Sequence, residues 1–115
     1  WVAGFSFGAW IGMQLLMRRP EISGFISAAP PANTYDFSFL APCPASGLII
    51  NGSSDRVVPP VDVEGLVGKL HEQKGITITH EVLEGSGHFF ENDHMDTMIG
   101  SVDTYVRRRL TENTR

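Results

Sequence analysis

Residues 4 to 8 read Gly4-Phe5-Ser6-Phe7-Gly8, set between the apolar run Trp1-Val2-Ala3 and the apolar segment from Phe7 to Met17. No other feature of the chain constrains its folding so strongly. The run before the serine reads as the end of a buried strand and the segment after it as a helix, which leaves Ser6 in the turn between them. Such a turn brings helix backbone against strand backbone, so the residues flanking the serine must be small. Gly8, Ala9 and Gly12 also give the helix a thin face that can lie close to a sheet. A serine held in this way projects its hydroxyl from a strained backbone and becomes a nucleophile when a base reaches it.

That base needs an orienting carboxylate in turn. Two later motifs offer candidates. Gly47-Leu48-Ile49-Ile50-Asn51-Gly52 is a short, continuously apolar strand ending in turn residues, and Ser53-Ser54-Asp55-Arg56-Val57-Val58-Pro59-Pro60 places Asp55 just beyond it. Ile76 to Leu83 has the β-branched, partly alternating character of a strand, and Glu84-Gly85-Ser86-Gly87-His88-Phe89 puts His88 in a glycine-rich loop after it. The catalytic candidates are therefore Ser6, Asp55 as orienter and His88 as base. Asp62 is an alternative to Asp55, but after Pro59-Pro60-Val61 it reads better as a first-turn acid of the next helix.

Taken together, G-F-S-F-G, N-G-S-S-D-R-V-V-P-P and G-S-G-H-F-F resemble the second half of a small bacterial α/β-hydrolase, and the likeness covers nearly the whole chain. The order Ser, Asp, His is that of this superfamily. The chain is most similar to its compact esterase-like and dienelactone-hydrolase-like members, because Ala28 to Ser46 is too short for a large helical lid. The resemblance implies an α/β fold with a mostly parallel sheet and flanking helices, lacking the N-terminal strands. It implies a serine hydrolase that cleaves small or medium carboxylic esters through an acyl-enzyme without a cofactor. It also implies that the backbone N–H of Phe7 is one oxyanion-hole donor. The second donor comes, in the family, from a loop after an early strand, whereas only five residues precede Ser6 here.

Two readings follow: a segment of a longer hydrolase, or a shortened chain completed by association. In the second, the strand ending at Phe5, which is interior in the family, becomes an edge with unpaired N–H and C=O groups. A homo-oligomer through this edge, or a poorly soluble chain, is then expected. A rival functional reading is a non-catalytic hydrolase-fold fragment or interaction module that keeps the motifs without turnover.

The other titratable residues read as structural. His71 falls near the end of a polar helix, where solvent exposure is expected, and His80 falls inside a strand. His88, Glu91, Asp93 and His94 lack the ligand spacing of a helical zinc site, so no metal is expected, and Asn92, Asp93 and Asp96 read as residues suited to a helix N-terminus. Cys43, the single cysteine, has no partner within the chain for a disulfide, which makes a reducing cytoplasm the default. A net charge of −4 argues against general nucleic-acid affinity, and Arg107-Arg108-Arg109 reads as the last turn of a helix. No apolar stretch approaches the roughly 20 residues of a membrane span. Trp10, Tyr35, Phe37, Phe39 and Phe89 are candidates for an apolar acyl pocket, although such aromatics more often belong to a core.

Residues 1 to 115 read as one α/β domain with no internal repeat. Its expected elements are a strand to Phe5, a helix from Phe7 to Arg19 stopped by Pro20 and a strand from Gly24 to Ala28. A proline-rich loop then runs through Pro44 to a strand from Gly47 to Asn51. An amphipathic helix from Val61 to Lys74 buries Val63, Leu66, Val67 and Leu70. A strand from Ile76 to Leu83 precedes a final helix from Asn92 to Leu110, with Met95, Met98, Ile99, Val102, Val106 and Leu110 facing inward. Crossover helices of this kind favour parallel strands, which would place Ser6, Asp55 and His88 in loops at the C-terminal ends of strands.

Overall fold

Strands and helices alternate in the computed structural model, which describes residues 1–113. The strands are β1 (Val2–Phe5), β2 (Phe25–Ala28), β3 (Gly47–Gly52) and β4 (Ile78–Leu83), and the helices are α1 (Phe7–Arg18), α2 (Pro60–His71) and α3 (His94–Asn113). They form one sheet in the order β1-β2-β3-β4 with every neighbouring pair parallel. Phe5 lies opposite Ala28, Ala28 opposite Ile50, and Gly52 opposite Leu83. This register brings the C-terminal ends of β1, β3 and β4 to one side of the sheet, so the turns that follow them can meet.

Both faces of the sheet are covered. On one, Met13 and Leu16 of α1 and Val63, Leu66, Val67 and Leu70 of α2 pack with Ile49, which points the opposite way from its neighbours in β3. On the other, Leu48 and Ile26 meet Tyr105 of α3, while Ile50, Ala28 and Leu83 meet Phe90. A strand buried on both faces must be largely apolar, as β3 is through Leu48, Ile49 and Ile50, and its one polar residue, Asn51, is buried with Oδ1 bonded to His80 (2.6 Å). The connection from β2 to β3 carries only a 3-10 turn at Ser38–Leu40. Side chains anchor it at several points. Trp10 Nε1 donates to the Asp36 carbonyl (3.0 Å), Asn33 Nδ2 to the Val57 carbonyl (3.0 Å), and Gln73 Nε2 to the Leu40 carbonyl (2.6 Å).

Several boundaries differ from expectation for local reasons. The amphipathic helix ends at His71 instead of Lys74, because the Gln73 N–H turns back to the Leu70 carbonyl (3.1 Å) and Gly75 takes a φ of 87°. The Thr77 N–H is taken by Ser46 Oγ (2.8 Å), and β4 starts after it, at Ile78. Phe90 and Asn92 have φ values of 53° and 60°, so the last helix begins at His94 and not at Asn92.

The inward stripe of α3 also needs correction. Met98, Val102 and Val106 pack on the core, whereas Met95, Ile99 and Leu110 are exposed and Tyr105 is buried. The helix meets the sheet along a narrow line through 98, 102, 105 and 106, and the other three apolar residues lie beside that line. The Arg107–Arg109 run is not in the last turn, since α3 continues to Asn113. Arg107 pairs with Asp103 one turn back, and Arg108 lies over the Tyr105 ring. Arg109 bonds the Ser46 and Ser23 carbonyls and the Tyr105 hydroxyl. Within the described sheet β1 is an edge, with Ala3 and Phe5 exposed. No described helix is long and apolar enough to cross a membrane.

Candidate functional site

Ser6 stands between β1 and α1 with φ 54° and ψ −120°, a conformation that side-chain-bearing residues rarely adopt and that persists only when its surroundings enforce it. Those surroundings are specific. The Ser6 N–H extends the sheet ladder to the Ala28 carbonyl (2.8 Å), and the Ser6 carbonyl accepts the Ala9 N–H (2.9 Å), which starts the helix. A Cβ on Gly4 would stand 2.1 Å from the Gly8 carbonyl oxygen, so glycine is required there by close approach. Gly8 is different: a Cβ on it meets nothing within 4 Å among the described residues. The expectation that both flanking residues must be small therefore holds for Gly4 and not for Gly8, because only Gly4 faces the crossing helix backbone.

Asp55 follows β3 in a turn that its own carboxylate organises. Its Oδ1 accepts the N–H groups of Val57 and Val58, each at 2.8 Å, and this leaves Oδ2 aimed away from the turn. The turn is tied to the loop after β4. Ser53 N–H donates to the Leu83 carbonyl (3.1 Å), Ser54 N–H to the Ser86 carbonyl (2.9 Å) and Gly85 N–H to Ser53 Oγ (2.7 Å). A Cβ on Gly52 would lie 2.1 Å from the Ser86 carbonyl oxygen, so the strand end and the loop touch through backbone alone.

These ties deliver His88. Its Nδ1 lies 2.8 Å from Asp55 Oδ2 and its Nε2 lies 2.9 Å from Ser6 Oγ, joining three loops in one hydrogen-bonded chain. Asp55 and His88 are each only 5% exposed, while Ser6 is half-buried and open to a reactant. With Asp55 accepting at Oδ2, the His88 proton sits on Nδ1 and the Nε2 lone pair faces the serine hydroxyl. The imidazole is flanked by the rings of Phe5 (5.3 Å between centroids) and Phe89 (4.9 Å, edge on). Among the described residues no group of three or more His, Cys, Asp or Glu side chains is placed to hold a metal ion.

The remaining candidates lie elsewhere. Asp62 is in the first turn of α2, on the wall of a cavity that none of Ser6, Asp55 and His88 lines. His71 is exposed, with Nε2 3.0 Å from the Ile78 carbonyl. His80 bonds Asn51 Oδ1 through Nε2 (2.6 Å), and burial pushes its pKa down from the usual imidazole value. Cys43 is buried with its Sγ donating to the Ala45 carbonyl (3.4 Å), and burial pushes its thiol pKa up. Of the aromatic candidates, Phe37 is buried in the core, Tyr35 stacks on Trp10 and also faces Phe7, and Phe89 stays beside His88. The contributions of Phe5 and Gly52 escaped the motif reading. The one clue to each was its position, Phe5 immediately before the serine and Gly52 at the end of an apolar strand.

No family model matches the chain. It is 66% identical to a protein of unknown function from Agrobacterium tumefaciens whose crystal structure is described as that of a candidate α/β-hydrolase, with a TM-score of 0.95 over 97% of this chain and 51% of that one. It is 34% identical to an α/β serine hydrolase without a lid from Xanthomonas campestris, with a TM-score of 0.79 over 94% of this chain and 46% of the other. An uncharacterised protein of Rickettsia prowazekii is 53% identical over an aligned length of 93 residues, the match covering 77% of this chain and 39% of that protein. The chain thus spans about half the length of the two solved relatives and less of the Rickettsia protein.

Proposed function

Because the chain belongs to the α/β-hydrolases, we propose that it carries the reacting half of a serine hydrolase that cleaves carboxylic esters through an acyl-enzyme. The observation that supports this reading most directly is the chain from Ser6 Oγ through His88 to Asp55 Oδ2, built on a serine whose φ of 54° aims its hydroxyl at the imidazole. His88 Nε2 takes the hydroxyl proton as Ser6 Oγ attacks the ester carbonyl. Asp55 holds the tautomer and stabilises the imidazolium that forms. The Phe7 N–H, in the first turn of α1 where no carbonyl of the helix can accept it, donates to the developing oxyanion. As the intermediate collapses, His88 returns the proton to the leaving alcohol. Water then attacks the acyl-serine by the same proton route in reverse. A second oxyanion donor would come from chain that pairs along the free edge of β1, the position that resemblance to the family assigns to it.

A serine-reactive organophosphonate tests the proposal, since labelling needs an activated hydroxyl and not merely a folded chain. Wild type is expected to label at Ser6 alone, and Ser6→Ala to lose both labelling and esterase activity. Labelling that persists in Ser6→Ala, or that maps to Ser53 or Ser86, would sink the assignment. A folded wild-type protein that does not label at all favours the non-catalytic reading.

A further inference from the structure

A cavity of about 670 Å3 opens between the β2–β3 connection and α2, and the proposed hydrolytic chemistry makes no use of it. Its size falls within the range of sites that hold small organic molecules. Buried side chains of Phe37, Leu40, Leu66 and Leu70 form an apolar floor. The carboxylates of Asp36, Asp62 and Glu72 share its rim with one ammonium, that of Lys69, so negative charge is in excess.

The walls are pinned. Gln73 donates to the Leu40 carbonyl (2.6 Å) and accepts the Cys43 N–H (2.5 Å), which closes one end, and the Trp10 bond to the Asp36 carbonyl (3.0 Å) fixes the other. Ser38 engages both Asp36 oxygens, through its N–H (2.9 Å) and hydroxyl (2.8 Å), and these bonds hold the carboxyl below its usual range and therefore ionised. Each oxygen keeps a second acceptor position for a ligand. Tyr35 closes the side nearest the Ser6 turn. Its ring stacks on Trp10 at 4.8 Å and faces Phe7 at 5.3 Å, so cavity and candidate nucleophile share one aromatic partition.

We propose that this cavity binds a small organic cation, with an apolar body seated on Phe37, Leu40, Leu66 and Leu70 and an ammonium group at the Asp62 end of the acidic rim. An anion of the same shape would meet the same floor and an opposing rim. Phenylethylamine, positively charged at neutral pH, is a suitable probe, with phenylpropionate as its anionic counterpart. Each is titrated into the intact protein at low ionic strength by calorimetry. Saturable binding of the amine is expected, at least tenfold tighter than that of the acid.

Asp62→Asn should weaken the amine about fourfold, and Lys69→Gln should tighten it by a similar factor, the worth of one charge about 5 Å away in a watery setting. Asp62 is half-buried and Lys69 exposed, and neither belongs to the apolar core, so both variants are expected to fold. Ser6→Ala should bind the amine as wild type does, which separates this site from the hydrolase reading. Absence of saturable binding, equal affinity for amine and acid, or one affinity across wild type, Asp62→Asn and Lys69→Gln would overturn the proposal.

Discussion

Replacing Gly4 and Gly8 by alanine, one at a time, puts the same methyl group at two ends of one pentapeptide with opposite expected results. At Gly4 the added Cβ stands 2.1 Å from the Gly8 carbonyl oxygen, 2.4 Å from its carbonyl carbon and 2.7 Å from the Ala9 nitrogen. All three are backbone atoms, so no rotamer change relieves the clash. Comfortable carbon contacts lie near 3.5 Å, and the first turn of α1 would have to withdraw by about 1 Å or more. Overpacking of that kind costs about 3 kcal/mol. With a urea m-value of about 1.3 kcal/mol/M for a domain of this size, the unfolding midpoint should fall by about 2 M.

The methyl at Gly8 meets nothing within 4 Å, and Gly8 lies in the first turn of a helix, where alanine is the better residue. A gain of about 0.5 kcal/mol is expected there, a rise in midpoint of about 0.4 M. Urea unfolding followed by circular dichroism reads both. A Gly4→Ala protein within 0.5 kcal/mol of wild type, or a Gly8→Ala protein as damaged as Gly4→Ala, would refute the close-approach argument.

Asp55→Asn should slow organophosphonate labelling by about 10⁴-fold, because an amide no longer favours the tautomer that presents Nε2 to Ser6; an unchanged rate would direct attention to Asp62. His80 has a folded pKa below its unfolded value, chiefly through burial, so the unfolded chain takes up the proton first. Stability should be level at neutral pH and fall as pH drops below about 6.5. His80→Gln should flatten that limb of the urea-unfolding profile, and equal slopes in the two proteins would dismiss the role given to His80. The Cys43 thiol, buried and with its pKa raised, should resist iodoacetamide at about pH 8 in the native protein and react readily in urea; rapid native labelling would contradict its placement.

Local sequence determined much of this protein. The alternation of β3-type apolar runs with 3.6-residue stripes fixes the element order, and Pro20 and Pro60 mark helix ends, because backbone preferences act within a few residues. The placement of Ser6, Asp55 and His88, each in a turn just past a strand, was legible for the same reason, and parallel strands bring such turns to one side of the sheet.

Tertiary structure decided the rest. Gly4 and Gly8 look equivalent as letters, yet only one faces a crossing backbone. The stripe of α3 holds more apolar residues than the contact line can use, so Tyr105 is buried while Met95, Ile99 and Leu110 stay outside. The anchors of the β2–β3 connection, Trp10, Asn33 and Gln73, bond groups between 24 and 33 residues distant in sequence, and the cavity they frame has no signature in any single segment. Periodicity specifies which side of an element is apolar, whereas the partner that covers that side is set only when distant segments share the same space.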